Sequence, residues 1–261
     1  MNINTIYNEN CLVTAARMPD GFIDLTVTSP PYDDMRSYKN KIDQTWGERV
    51  WKPIIDELFR ITKEGGVVVW IVGDRKKFGS ESGTSFAQAL YFKAVGFNIH
   101  DTMIFRKLNG AMGAHNEYLQ EFEFMFVFSK GKIKTSNLIY DRKNVVHGDK
   151  STPKKKSNKT GSLSERHKIN RKEYGRRKNI WDYAVGGRQE IGRHPAPFPE
   201  NLVKDHIISW SNEGDLVYDP FMGSGTTAKM SVLAGRNYIG SEISKEYCEI
   251  AEQRISLIYH V

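Results

Sequence analysis

Three short runs hold residue types that could do chemistry together. Ser29-Pro30-Pro31-Tyr32 directly follows the apolar, β-branched run 22–28. Neither proline can donate a backbone hydrogen bond, so the pair ends the strand and stiffens the chain. A hydroxyl and an aromatic ring are thereby held at a strand tip, where open α/β sheets place their chemistry. The second run is Asp219-Pro220-Phe221-Met222-Gly223-Ser224-Gly225. Leu216, Val217 and Tyr218 read as a short buried strand, Asp219-Pro220 stops it, and Thr226 opens a helix. Glycines at such a corner allow φ > 0 and let a ligand lie against bare backbone. The next strand, 237–241, ends in Glu242, a carboxylate placed to accept from the two hydroxyls of a ribose. This βαβ unit is expected to hold an adenosine-containing cofactor. Gly223-x-Gly225-x-x-Ala228 also fits a dinucleotide fingerprint, which leaves a nicotinamide-dependent oxidoreductase open, as it does a turn used only for packing. The third run, His194-Pro195-Ala196-Pro197-Phe198-Pro199-Glu200, opens the helical stretch 200–210.

A sheet has to carry these runs, and the chain has the pieces for one. Residues 3–7 and 22–27 read as strands, and 67–72 is an almost wholly apolar run suited to a central strand covered on both faces. Residues 99–105 and 122–128 read as a hairpin with a long loop that contains Asn109-Gly110. Helices are expected over 11–18, over 46–62 from the spacing of Trp51, Ile54, Ile55, Leu58 and Phe59, and over 85–95 with Gly96 as the stop. The last helix starts at an N-cap, Ser244, and reaches about 259. Residues 33–44 are polar and read as a loop.

Composition bounds the partners. The 261 residues can bury a full core, and no apolar run is long enough to cross a membrane. The N-terminus lacks the basic start and apolar stretch of a secretory signal. Cys11 and Cys248 are the only cysteines, too few for a disulfide scaffold or a zinc site, which points to a reducing compartment. The net charge is +7, and it is unevenly spread. Residues 130–178 hold 17 Lys and Arg against 4 Asp and Glu, a net +13, which leaves −6 on the rest. A single lysine run such as Lys154-Lys155-Lys156 is usually a solvated loop, and a nuclear-import tag is another reading of it. A +13 excess confined to 49 residues favours a polyanion, nucleic acid, as partner. The segment has almost no periodicity and reads as a loop-rich insert.

The three runs, with Thr28 and Glu242, resemble the amino-methylating DNA methyltransferases of bacteria and their phages. The resemblance covers the chain except the basic insert. Catalytic motif first and cofactor motif last is similar to the permuted class called beta. It implies a Rossmann-like α/β methyltransferase fold with circularly permuted motif order, a mostly parallel sheet and helices on both faces. Residues 1–129 then form the catalytic half, 130–178 the target-recognition insert and 179–261 the cofactor half. The implied cofactor is S-adenosylmethionine and the implied partner is double-stranded DNA, in a bacterial cytoplasm. A cognate restriction endonuclease and a homodimer stay open.

Carried over by position, Ser29, Pro30, Pro31 and Tyr32 match the catalytic motif. Asp219, Pro220, Phe221, Gly223, Ser224, Gly225 and Thr226 match the cofactor loop, Glu242 the ribose carboxylate, and His194, Pro195 and Phe198 the segment flanking the methionine end. The family often has Gly-Asp-Cys near its first strand–helix turn; here Glu9-Asn10-Cys11 stands there, and Asn10 could accept from the adenine amine through its amide oxygen. Lys154, Lys155 and Lys156 are candidates for phosphate contact. Arg166, Arg171, Arg176 and Arg177 are candidates for reading bases, since an arginine fork can bond guanine twice.

The residues suit that chemistry without the family name. An aromatic amine is a weak nucleophile, so the site must orient its lone pair and stabilise developing positive charge. Ser29 Oγ and the Pro30 carbonyl can accept the two amine hydrogens, and Tyr32 can stack on a base flipped from the duplex. Members that methylate adenine N6 usually carry Asp where Ser29 stands, which favours cytosine N4 here and keeps adenine N6 as the alternative. A DNA-binding protein that keeps this fold without activity, and RNA as substrate, are more distant readings.

Overall fold

A computed structural model describes residues 1–31, 46–109, 118–151, 168–185 and 198–258. The chain begins with β1 (Thr5–Tyr7), α1 (Cys11–Ala16), β2 (Ile23–Thr28), α2 (Glu48–Ile61) and β3 (Thr62–Val72). A small ribbon, β4 (Lys76–Lys77) with β5 (Ser80–Glu81), precedes α3 (Thr84–Val95), β6 (Asn98–Lys107) and β7 (Phe122–Ser129). Four short strands follow: β8 (Arg142–Lys143), β9 (Gly148–Ser151), β10 (Lys168–Arg171) and β11 (Tyr174–Gly175). Then come β12 (Ile180–Tyr183), α4 (Glu200–Trp210), β13 (Leu216–Asp219), α5 (Thr226–Leu233), β14 (Asn237–Ser241) and α6 (Lys245–Ser256). These divide into two compact units, Met1–Asn137 with Asn179–Val261, and Leu138–Lys178.

The larger unit is built on one sheet of order β1-β14-β13-β2-β3-β7-β6-β12. The strands from β1 to β3 are parallel, β7 runs antiparallel to both its neighbours, and β12 is parallel to β6. The fold is therefore α/β with a mostly parallel sheet. β3 shows why the sheet is covered twice. Val68, Trp70 and Val72 join Trp51, Ile54, Ile55 and Leu58 of α2 and Phe92 of α3 in one core cluster. Val67, Val69 and Ile71 point the other way and are equally buried. The helices divide accordingly, with α1 to α3 packed in succession and α4 to α6 packed in succession. Phe59 sits half-buried at the margin of the α2 face, edge-on to Phe97 at 5.1 Å. The hairpin expected around Asn109-Gly110 is the β6–β7 pair, with Arg106 opposite Phe122. No helix among the described residues is long and apolar enough to cross a membrane.

One strand of the sheet is not marked in the sequence. Ile180-Trp181-Asp182-Tyr183 is too short and too mixed for a period-2 signal, yet it closes the β6 edge as β12. Tertiary contact explains this: Trp181 is buried and stacks on His206 of α4 at 4.6 Å. The smaller unit also has more order than its composition suggests. β9 and β10 form one antiparallel ribbon, and β8 and β11 another.

Candidate active site

Parallel register brings the sequence's marked residues to one edge. Tyr7 lies opposite Ser241, Asp219 opposite Gly240, Tyr218 opposite Thr26, and Thr28 opposite Trp70. The carboxyl ends of β1, β14, β13 and β2 thus stand side by side. Asn10 and Cys11 follow the first of these ends, Glu242 the second, the loop 219–225 the third, and Ser29-Pro30-Pro31 the fourth. Ser29 and Pro31 are partly exposed and Pro30 is buried.

Asp219 joins the two central tips. Its carboxylate is buried and accepts from Thr28 Oγ1 at 2.6 Å, from Thr227 Oγ1 at 2.6 Å and from the Phe221 amide at 2.9 Å. Burial raises its pKa above the usual carboxylate value, against the pull of the two hydroxyls. With three protein donors on a buried carboxylate, Asp219 ties the Ser29 strand to the glycine loop and to α5. Thr28 and Thr227 flank the marked runs, but their bonds to Asp219 are not readable from the motifs.

Glu242 holds the other side of the loop. It accepts from the Gly223 amide and from the Ser244 amide, each at 2.8 Å. The Ile243 amide also bonds this carboxylate, whose two oxygens can each accept more than one hydrogen bond. Burial raises its pKa above the usual carboxylate value, opposed by those amides and reinforced by the nearby charge of Asp219. Gly225 has φ +83°, and a Cβ there would lie 2.5 Å from Ala251 Cβ on α6. The turn can therefore take this path only with glycine. No side chain caps α5, whose N-cap is Gly225 itself. Phe221 lies edge-on to Trp46 at 5.6 Å and to Trp70 at 6.2 Å, which anchors the loop in the core.

Asn10 has a local partner: its side-chain oxygen accepts from the Leu12 amide at 2.9 Å as the N-cap of α1. Cys11 is buried, and burial pushes its thiol up to about 12. It is a neutral thiol and no nucleophile at ordinary pH. Phe198 is half-buried just before α4, next to its N-cap Pro199. Ser224 and Thr226 are buried in the loop. Tyr32, His194, Pro195, Lys154, Lys155, Lys156 and Arg166 lie outside the described residues.

Two other sequence candidates sit in the smaller unit. Arg177 Nε donates to both oxygens of Asp141, at 2.9 and 3.1 Å, so its fork is already engaged. Arg176 is exposed, and its carbonyl accepts from Arg142 Nε at 3.1 Å. Arg171 ends β10, opposite Gly148. At the tip of β3 the larger unit also has a cleft of about 790 Å³, lined by Asp74, Phe86, Tyr118, Phe122 and Phe124 among others.

A Rossmann-like domain with its chemistry-bearing residues along one carboxyl edge is the class that fold and site define. A family model described as DNA methylase matches residues 23–253, and the chain belongs to that family of amino-methylating (N6/N4) DNA methyltransferases. The orphan methyltransferase M.BamHII of Bacillus amyloliquefaciens is 55% identical over 243 residues, 90% of this chain and 89% of that one. The DNA adenine methyltransferase YhdJ of Escherichia coli K12 is 27% identical over 262 residues, 98% of this chain and 84% of that one. The cytosine-N4-specific PvuII DNA methyltransferase shares the fold with a TM-score of 0.69 at 18% identity, covering 98% of this chain and 91% of its own.

Proposed function

We propose that this DNA methyltransferase moves the methyl group of S-adenosylmethionine to the exocyclic N4 amine of cytosine in duplex DNA. The observation that carries the reading is the adjacency of two strand tips: Ser29-Pro30-Pro31 beside the loop 219–225, tied through Asp219. The donor set around the loop suits the cofactor. Glu242 is a carboxylate of the kind ribose hydroxyls donate to, and the turn offers bare backbone at Gly223. Bound there, S-adenosylmethionine supplies an electrophilic sulfonium methyl.

The chain's own residues orient the nucleophile. Ser29 Oγ and the Pro30 carbonyl accept the two hydrogens of the amine and turn its lone pair toward the methyl. As the N–C bond forms and the methyl–sulfur bond breaks to leave a neutral thioether, the nitrogen becomes positive, and the same acceptors stabilise it until its extra proton passes to solvent. Tyr32 stacks on the flipped base and offsets part of the few kcal/mol that unstacking costs. No thiolate takes part, in keeping with the buried, neutral Cys11. Ser29, where adenine-specific members usually carry Asp, is the residue that favours cytosine. The basic segment 130–178 is proposed to hold the duplex.

The test is transfer of labelled methyl from S-adenosylmethionine to unmethylated DNA, RNA or protein by the purified chain. Label in DNA, lost in Tyr32→Ala while cofactor binding is kept, is the expected result. Label confined to RNA or protein, or full activity in Tyr32→Ala, overturns it.

A further inference from the structure

We infer that Arg254 on α6 is a positioning residue for the cofactor loop, fixing the Ser224–Gly225 peptide from behind and linking it to the start of α4. The inference rests on reading the loop 219–226 as the cofactor site. The Arg254 side chain is partly buried, 14% exposed. One nitrogen, Nη1, donates to the Ser224 carbonyl, to Ser224 Oγ at 3.1 Å and to Thr226 Oγ1 at 3.2 Å. The other, Nη2, donates to Glu200 Oε1 at 2.8 Å.

The Ser224 carbonyl and the Gly225 amide belong to one planar peptide. That amide donates to the Met222 carbonyl at 2.9 Å, so both ends of the peptide dipole are held. Its orientation decides which way the turn presents its remaining amides. Glycine at 225 removes the steric restraint a side chain would give, and Arg254 replaces that restraint with hydrogen bonds. α6 is shaped for this. Ala251, one turn earlier on the same face, is small enough for Gly225 to pass against it.

Glu200 gives the clamp its second anchor. Its Oε1 also accepts from Lys229 Nζ of α5 at 2.7 Å. Burial works to raise the Glu200 carboxyl, and Lys229 and Arg254 outweigh it, so the carboxyl stays below its usual range. Glu200 opens α4 directly after Phe198 and Pro199. Arg254 therefore joins the two stretches that the sequence assigns to the cofactor, the glycine loop and the proline-rich run. A bare helix-to-helix ion pair would not need the carbonyl and both hydroxyls.

The test compares Arg254→Ala, Arg254→Lys and Arg254→Ala/Glu200→Gln. Calorimetry with S-adenosylhomocysteine gives the dissociation constant, and single-turnover methylation at saturating S-adenosylmethionine gives the transfer rate. Arg254→Ala is expected to weaken binding roughly tenfold to a hundredfold, the worth of a charge-assisted hydrogen bond, with the saturated rate unchanged. Arg254→Lys should recover part, since an ammonium cannot hold carbonyl and carboxylate as a fork does. Glu200→Gln should add little in the Arg254→Ala background. Unchanged affinity in folded Arg254→Ala and Arg254→Lys overturns the inference, as does a loss of binding and saturated rate in step with melting temperature. Failure of the unaltered protein to bind S-adenosylhomocysteine instead overturns the cofactor reading on which the inference rests.

Discussion

Asp219 and Glu242 are both buried carboxylates at strand tips, and their partners separate their work. Asp219 is enclosed by Thr28, Thr227 and the Phe221 amide, so its loss leaves buried donors unpaired. Asp219→Ala should lower unfolding free energy in urea by at least the about 1–3 kcal/mol that one orphaned buried polar group costs, and Asp219→Asn by less. Equal stability of Asp219→Ala and the unaltered protein would contradict the tie. Glu242 gives a pH signature of two signs. Its folded pKa is raised by burial, so its contribution to stability is full below the unfolded value and is lost as pH rises through the folded one. Under the proposed role for Glu242, cofactor affinity should run the opposite way, because ribose hydroxyls would donate to the ionised form. The ligand-free protein should lose melting temperature as pH rises above the ordinary carboxylate range, and cofactor affinity should rise with it. In Glu242→Gln the affinity trend should flatten, while the melting trend should shrink to the share left by the buried Asp219, whose pKa is raised as well. A cofactor affinity that is pH-independent in the unaltered protein would remove Glu242 from the ribose.

At the scale of elements, the loop between β13 and α5 depends on the helix behind it. Gly225→Ala places a methyl in a positive-φ backbone and 2.5 Å from Ala251 Cβ. Gly235→Ala has similar φ, +73°, but its nearest neighbour is 3.5 Å away at Glu213 Cγ. Gly235→Ala should cost only the roughly 1–2 kcal/mol of a left-handed residue. Gly225→Ala should cost more, in thermal unfolding, and weaken cofactor binding as well. Equal costs would show that α6 does not back the loop. What the sequence reveals follows the same division. β3, α4 and the β13–turn–α5 corner are legible because apolar periodicity and Gly/Pro punctuation act locally. β12 is not, because Trp181 is buried by α4 and β6 rather than by its own neighbours in sequence. At the site, the strand-tip motifs are legible, whereas the ties made by Thr28, Thr227 and Arg254 come from a partner 191, 8 or 30 positions away. Arg177 shows the converse: a plausible base reader by type, already paired with Asp141 by proximity.

Over the whole molecule, charge and chemistry are divided between different stretches of chain. Residues 130–178 carry +13 and the remainder −6. If DNA is held mainly by the basic segment, its affinity should fall with salt at a slope of about −0.9 per neutralised phosphate. Changing Lys154, Lys155 and Lys156 together to Ala should flatten that slope on specific and random duplexes alike and leave cofactor binding intact. An unchanged slope would make this run a solvated loop. Which amine is modified is proposed to follow from Ser29, directly after the end of β2. Digesting DNA from a methylation-deficient bacterial host that expresses the protein, and resolving its nucleosides by mass spectrometry, tests that claim most directly. N4-methylcytosine that appears with the unaltered protein and vanishes with Tyr32→Ala is the predicted result; N6-methyladenine in its place, or no modified base at all, would contradict it.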